Sequence, residues 1–483
     1  MSDTIISFKD ACFLYPKAEI YALNNINLSV REGEFLAVMG SEGAGKTTLC
    51  KLINGIIPHL SGGSLSGTVT VDGICTKSAS VPELALKAGI VLDDPDAQII
   101  TSAVFNEAAF GPENVLLPEA EVRERADLAL CAAGLDGYRD REPATLSGGE
   151  KQRLSIAAAL AMKSKILVLD EPLCRLDPTG AADVIAVLKD INKSQGVTII
   201  MAGHNSAVFA GCADRVCVLK DGIIAALDKP DVIFSNAALL KENGIQPLES
   251  FAKKPFCSAG NLIKKNENAA IEIKDFSFAY PNGASLQKIN LSIMDNDFIA
   301  ITGNNGCGKT TLLKNITGLL HPDTGDIFIR GKNTKDLKIS GISEEIGFVM
   351  QNPDTQIFTD SVYKEVTFAL KNKRLPKAEI KKRAEDALKT MGLNDYEAYP
   401  FVLSRSDRAK VIIACVIAMG CRILIFDEVD AGNDYNGSKN IMNIAGDFHK
   451  KGFTIIFVTH NMFLAEEYAH RIVKMERDGI YEL

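Results

Sequence analysis

The sequence predicts an α/β fold built twice in tandem, each copy around a mainly parallel sheet. Three observations predict it. Landmark motifs recur at a near-constant offset along the 483 residues. Each recurring Gly-rich loop lies between an apolar run and a helical pattern. Buried-strand patterns then return between helical segments, the alternation expected of a parallel sheet.

An internal repeat of this length marks a duplicated domain. "GSEGAGKTT" from Gly40 pairs with "GNNGCGKTT" from Gly303. "ILVLDEP", with Asp170, Glu171 and Pro172, pairs with "ILIFDEV", with Asp427, Glu428 and Val429. "IIMAGHN" places His204 where "IIFVTHN" places His460. One domain was duplicated and the copies drifted: residues 1–237 form the first and residues 271–483 the second. The joint between them, 238–270, is polar with scattered Gly and Pro and reads as a linker.

Within each copy the elements follow in order. "FLAVMG" and "FIAITG" are strands entering the Gly-rich loop, and "TTLCKLINGI" and "TTLLKNITGLL" are the helices leaving it. The stretch from about Asn106 to Leu146 is mostly helical and is expected to form a lobe beside the sheet. "ILVLD" and "VTIIMAG" are buried strands.

Composition narrows the function. Net charge is −8 and 46% of residues are hydrophobic, a globular balance without the basic surface that nucleic acid selects. The 11 cysteines include no CxxC pair and read as reduced thiols, mostly core filler. "MSDTIISFKD" lacks the basic and apolar regions of a signal peptide. The apolar run "VIIACVIAMG" from Val411 has about half the length a bilayer requires. The chain is expected not to span a membrane; if it serves one, it does so peripherally, from the cytoplasmic face.

GxxxxGK[ST] is a phosphate cradle. Its glycines let backbone N–H groups converge on phosphates, and the following helix adds its positive end. The loops are Gly40-Ser41-Glu42-Gly43-Ala44-Gly45-Lys46-Thr47-Thr48 and Gly303-Asn304-Asn305-Gly306-Cys307-Gly308-Lys309-Thr310-Thr311. Lys46 and Lys309 would reach the β- and γ-phosphates, while Thr47 and Thr310 would hold Mg²⁺. An apolar strand ending in Asp-Glu supplies the rest of a hydrolytic site. Asp170 or Asp427 faces the Mg²⁺ shell, and Glu171 or Glu428 polarises an attacking water.

"LSGGEKQR" from Leu146, upstream of "ILVLDEP", resembles the signature of ABC-type ATPases. The resemblance covers nearly the whole chain. It implies two P-loop NTPase domains in tandem, each with an antiparallel β subdomain and a helical subdomain beside the parallel core. It implies a head-to-tail sandwich in which each ATP lies between the Gly-rich loop of one copy and the signature of the other. Ser147, Gly148 and Gly149 would then serve the nucleotide on Lys309, and Ser404 and its neighbours the nucleotide on Lys46. By the same resemblance Tyr15 and Tyr280 stack on adenine, His204 and His460 contact the γ-phosphate, and Asp177 and Asp434 lie in loops linking the sites. Without the family, each Tyr reads as packing, and each His could equally be a strand-end cap.

The copies are unequal. The second signature reads "LSRSDRAK", with Arg405 and Ser406 in place of two glycines. A signature needs small residues for close backbone approach to phosphate. Arg405 is expected either to pair with phosphate while its bulk spoils that approach, or to point to solvent. "GFVMQNPDTQIF" has Gln351 where the family touches Mg²⁺ and the attacking water; "GIVLDDPDAQII" has Asp93, which when ionised cannot donate a hydrogen bond. Asp93 and Arg405 would both fall on the site of Lys46, leaving the site of Lys309 complete. Val429 and Asn433 also depart from the first copy, with a local effect expected.

"NPDTQ", "DPDAQ" and "NGIIPHLSGGSLSGTVTVDG" resemble the ATPases of energy-coupling factor (ECF) transporters, importers of vitamins, other micronutrients or metal ions. That resemblance implies a transmembrane coupling subunit docking near Gln351 and Asp93, and a small membrane substrate-binding subunit. Two alternatives stand beside it. A soluble tandem ABC protein acting on ribosomes would want a long charged helical linker and two intact signatures. A fused sugar-importer ATPase fits the Asn-Pro-Asp-x-Gln pattern poorly.

Overall fold

The computed structural model of the chain describes residues 4–174, 176–248, 269–280, 285–373, 375–476 and 479–483. Two compact units divide the chain between residues 252 and 253.

In the first unit a six-stranded sheet has the order Ile223–Asp228, Arg215–Lys220, Phe35–Met39, Thr198–Ala202, Ile166–Asp170, Ala88–Val91. Its first strand is antiparallel to the second and the rest are parallel. Phe35–Met39, Ile166–Asp170 and Thr198–Ala202 are buried at every residue. That is why their sequences are continuous apolar runs: helices cover both faces of a parallel sheet. A separate four-stranded antiparallel sheet pairs Leu23–Arg31, Thr4–Leu14, Ser64–Val71 and Ile74–Cys75. Leu23–Arg31 alternates largely between buried and exposed residues, as one wet face requires.

The second unit repeats this plan. Its six-stranded sheet runs Ile346–Val349, Ile423–Asp427, Thr454–Val458, Phe298–Thr302, Arg471–Glu476, Gly479–Glu482. Its four-stranded sheet runs Ser285–Met294, Ala269–Ala279, Thr324–Ile329, Lys332–Asn333.

The expected helical lobes are present. Val104–Asn114, Glu119–Ala132 and the signature helix Gly148–Ala161 share their own core of Val104, Ala108, Val122, Ala126, Leu130 and Leu154. Val362–Asn372, Lys377–Thr390 and Arg405–Met419 are the counterparts. Fully burying an aliphatic or aromatic side chain of this kind is worth about 1.5–3 kcal/mol.

The stretch read as linker begins as structure. Ala237–Glu242 is helical, and Leu240 and Ile245 are buried in the first unit's core. The burial of these two apolar residues outweighs the polar average of "KENGIQPLES". The rest of that stretch, 249–268, lies outside the described residues.

Candidate functional site

Each Gly-rich loop links the central strand of its sheet to a helix, Lys46–Ile53 or Lys309–Ile316. Glycine is required at the loop's ends. A Cβ at Gly40 would stand 2.3 Å from the Leu219 carbonyl oxygen, and one at Gly303 2.3 Å from that of Met475. Gly45 and Gly308 sit at φ 102° and 104°, where an L side chain is strained.

The two lysines are buried and held alike. Lys46 Nζ donates to the carbonyls of Gly40 and Ser41, both at 3.1 Å, and Lys309 Nζ to those of Gly303 (2.8 Å) and Asn304 (3.2 Å). Lys46 lies 3.4 Å from Glu171, and Lys309 3.5 Å from Glu428. His204 and His460 each bring Nε2 to 2.9 Å from that glutamate and 3.3 Å from that lysine. Glu171 and Glu428 take positive φ, 51° and 48°, just past their strands, a local strain of the kind found at working sites.

These contacts set the charges. Burial alone would raise the Glu171 carboxyl, but His204 and Lys46 outweigh it and hold it at about 2. Glu428 is likewise held below the usual range by His460 and Lys309 against the effect of burial. Both are ionised acceptors at neutral pH. Burial pushes Asp170 and Asp427 the other way, each to about 6, with the adjacent glutamate adding to it.

The aspartates also test the fit of Mg²⁺. Thr310 Oγ1 donates to Asp427 Oδ2 at 2.9 Å, and Thr47 bonds Asp170 in the same way. The other oxygen, Oδ1 in each aspartate, is buried without a hydrogen-bond partner. A hydroxyl beside an unspent, buried carboxylate oxygen is a hard-oxygen donor set that suits Mg²⁺.

At the next position the units differ. Gln351 Nε2 donates to Glu428 Oε2 at 2.9 Å. Asp93, its counterpart, is exposed, and its charge is near enough to raise Asp170.

The ABC transporter family model matches residues 23–174 and 286–431. The chain belongs to the ABC transporter family. A relative from Caldanaerobacter subterraneus subsp. tengcongensis, named as an ABC transporter ATP-binding protein, is 35% identical over the whole chain and 91% of its own length. One from Methanosarcina mazei, named likewise, is 33% identical over 99% of this chain and 88% of its own. Among solved structures, cbiO1 from Clostridium perfringens, described as part of the ABC transporter complex cbiONQ, is 33% identical. It covers 50% of this chain and 94% of its own, with a TM-score of 0.45. This protein is thus an ATP-binding transport ATPase with two cassettes in tandem.

In this ABC protein the other expected residues lie as follows. Tyr15 and Tyr280 are half-buried, each edge-on to a phenylalanine at 4.9 Å, and Tyr15 Oη is 3.2 Å from Thr48 Oγ1 beside the loop helix. Ser147 caps the signature helix and forms a reciprocal box with Glu150. Ser404 caps its counterpart, accepting from Asp407 N at 3.1 Å, but the shorter Asp407 pairs with Lys410 and does not close the box. Asp177 and Asp434 cap the helices after the Asp-Glu loops. Asn433 donates to the Val429 carbonyl at 2.6 Å, so both departures are absorbed locally.

Arg405 has a partner the sequence did not suggest. It does not point to solvent, and its guanidinium is engaged within its own unit: Nη2 donates to the Gln351 carbonyl at 3.2 Å.

Several supporting residues escaped the sequence reading. The final Gln of "DPDAQ" and "NPDTQ" clamps its loop: Gln98 accepts from Leu92 N and donates to the Ile90 carbonyl, and Gln356 does the same with Met350 and Phe348. Glu107 and Glu365, buried, each accept two backbone N–H bonds from the segment just before their helix turn, Ile100 and Thr101 or Phe358 and Thr359. Lys151 pairs with Asp96 at 2.6 Å and Arg408 with Asp354 at 2.7 Å, tying each signature helix to that loop. Aligning the two copies could have found them, since the Gln, Glu and Asp recur at the same places and Lys151 is matched by the equally basic Arg408.

Proposed function

We propose that this ABC protein is the ATP-hydrolysing subunit of an ECF-type importer for a vitamin, micronutrient or metal ion, acting peripherally at the cytoplasmic face of the membrane. In this reading the Lys309 site hydrolyses ATP and the Lys46 site is weakened. The observation that carries the asymmetry is the Gln351–Glu428 hydrogen bond, for which an ionised Asp93 has no donor.

The chemistry follows from the residues. The loop amides and Lys309 bind the β- and γ-phosphates. Mg²⁺ held by Thr310, Asp427 and Gln351 would supply charge neutralisation there. Glu428, ionised and oriented by Gln351 and His460, accepts a hydrogen bond from the attacking water and aims it at the γ-phosphorus. His460, already 3.3 Å from Lys309, is close enough to the phosphate-binding lysine to contact the γ-phosphate. The signature Ser147-Gly148-Gly149 completes this site in a head-to-tail pairing of the cassettes; Ser404 and its bulkier neighbours complete the site of Lys46, Thr47, Asp170, Glu171 and His204.

Exposed apolar side chains support the membrane partners. Phe358 and Phe368 are 63% and 47% exposed and stack edge-on; Ile100 and Phe110 hold the same positions in the first unit at 65% and 42%. They lie just past Gln351 and Asp93, where a helix of a transmembrane coupling subunit would dock. Among the described residues no helix is long and apolar enough to cross a membrane, so the passage itself would belong to that subunit and to the small substrate-binding one.

Affinity purification of the full chain from detergent-solubilised cells tests this. Recovery of integral membrane proteins, lost on Phe358→Glu with Ile100→Glu, is expected. Recovery with ribosomes and without membrane proteins would overturn it.

A further inference from the structure

The signature helix of the second unit carries a side chain whose counterpart is absent from the first. Arg405 is half-buried, and Nη2 donates to the carbonyl of Gln351 at 3.2 Å. On its other side lies Gly432, at φ +76°, where a Cβ would stand 3.0 Å from Arg405 Nη1 and 3.1 Å from Cζ. The guanidinium fills the space a side chain at 432 would need.

The two positions also differ together between the copies. Where the second copy has Arg405 and Gly432, the first has Gly148 and Arg175. Arginine and glycine are exchanged between the signature and the loop after Asp-Glu.

From Arg405 the contacts run to the Lys309 site without leaving the unit. Arg405 holds the backbone of Gln351; the Gln351 amide donates to Glu428 at 2.9 Å; Glu428 touches His460 and Lys309. The Arg408–Asp354 pair also joins helix to loop, but it grips three residues beyond, and its equivalent Lys151–Asp96 exists in the first unit too. At residue 351 itself the anchor is Arg405.

We propose that Arg405 is a positioning residue for the Lys309 site of its own unit: by fixing the Gln351 backbone to the signature helix it keeps the Gln351 amide on Glu428. This rests on the reading above that Glu428 orients the water. The residue that removes a glycine from one signature thereby braces the Lys309 site of its own unit.

Steady-state ATPase of the full chain in its membrane complex tests it, in a Glu171→Gln background so that turnover reports the Lys309 site. Arg405→Gly should lower kcat about ten-fold, the scale of one lost hydrogen bond to a charged donor, with KM for MgATP unchanged. Arg405→Lys, which keeps a donor but not the fork, should fall between and covers the case in which the glycine variant folds poorly. In Gln351→Ala, adding Arg405→Gly should lower kcat little further. Independent losses that multiply would overturn the proposal. So would a rise in turnover of the otherwise unmutated chain on Arg405→Gly that Glu171→Gln abolishes, because Arg405 would then act as an obstruction at the Lys46 site. Failure of the underlying reading looks different: Glu428→Gln would keep most turnover while Arg405 and Gln351 remained non-additive.

Discussion

The Gln351 amide donates to the Glu428 carboxylate at 2.9 Å, and the first unit sets an exposed Asp93 at the corresponding point. Around that difference the sites are otherwise near copies, with the same lysine, histidine and glutamate at closely matching distances. Beside the lysine, histidine and glutamate, the difference is one hydrogen bond to the glutamate proposed to meet water.

Glu428→Gln is expected to abolish most turnover, by about hundred-fold or more if general-base assistance has its usual size. Glu171→Gln should do much less. ATPase rates of both variants in the complete complex check this, and equal losses would remove the distinction between the sites.

Restoring the missing donor should restore function. In a Glu428→Gln background, Asp93→Gln should raise the residual turnover several-fold, on the order of one hydrogen bond. It also removes a negative charge that raises Asp170. A residual rate indifferent to residue 93 would count against Asp93 as the weak point.

Burial lifts Asp427 to about 6, above the ordinary 3.8. The folded, nucleotide-free state thus holds this proton more tightly than the unfolded chain. The sign follows: the carboxylate costs stability above pH 6, and the cost fades as pH falls from about 6 to 3.8. Asp427→Asn should therefore be more stable than the parent at pH 7, by on the order of 1–3 kcal/mol, and equal to it near pH 4. Denaturation midpoints without Mg²⁺ across that range measure it.

Glu171 carries the opposite sign. Held at about 2 by His204 and Lys46 against burial, it stabilises the fold above pH 4.5 and loses that contribution as pH falls from there toward 2. Glu171→Gln should be the less stable protein at pH 7, with the gap closing on acidification.

The head-to-tail pairing has its own test. If the cassettes pair as proposed, Gly148→Asp sets an anion against the γ-phosphate of the Lys309 site and should nearly silence the enzyme. Combined with Glu428→Gln it should reduce the residual rate little further, because residues of one catalytic unit are strongly non-additive. Coupling of Gly148 to Glu171 in place of Glu428 would mean that each copy completes its own site.

By itself the sequence determined the duplication, the α/β class and the places of the Gly-rich loops and Asp-Glu pairs. These are legible because backbone chemistry leaves few options: only glycine tolerates the 2.3 Å approach at Gly40 and Gly303, and a strand covered on both faces must be apolar throughout. What the tertiary structure decided were the partners of side chains that reach across elements. Arg405 could have sought phosphate or solvent, and only packing brought the Gln351 carbonyl and the bare Gly432 within its reach. Leu240 and Ile245 sat in a polar stretch, and only the neighbouring core decided their burial. Local pattern records what a residue needs from its own backbone; which distant group meets a long side chain depends on how helix and sheet come together, and no period or spacing carries that.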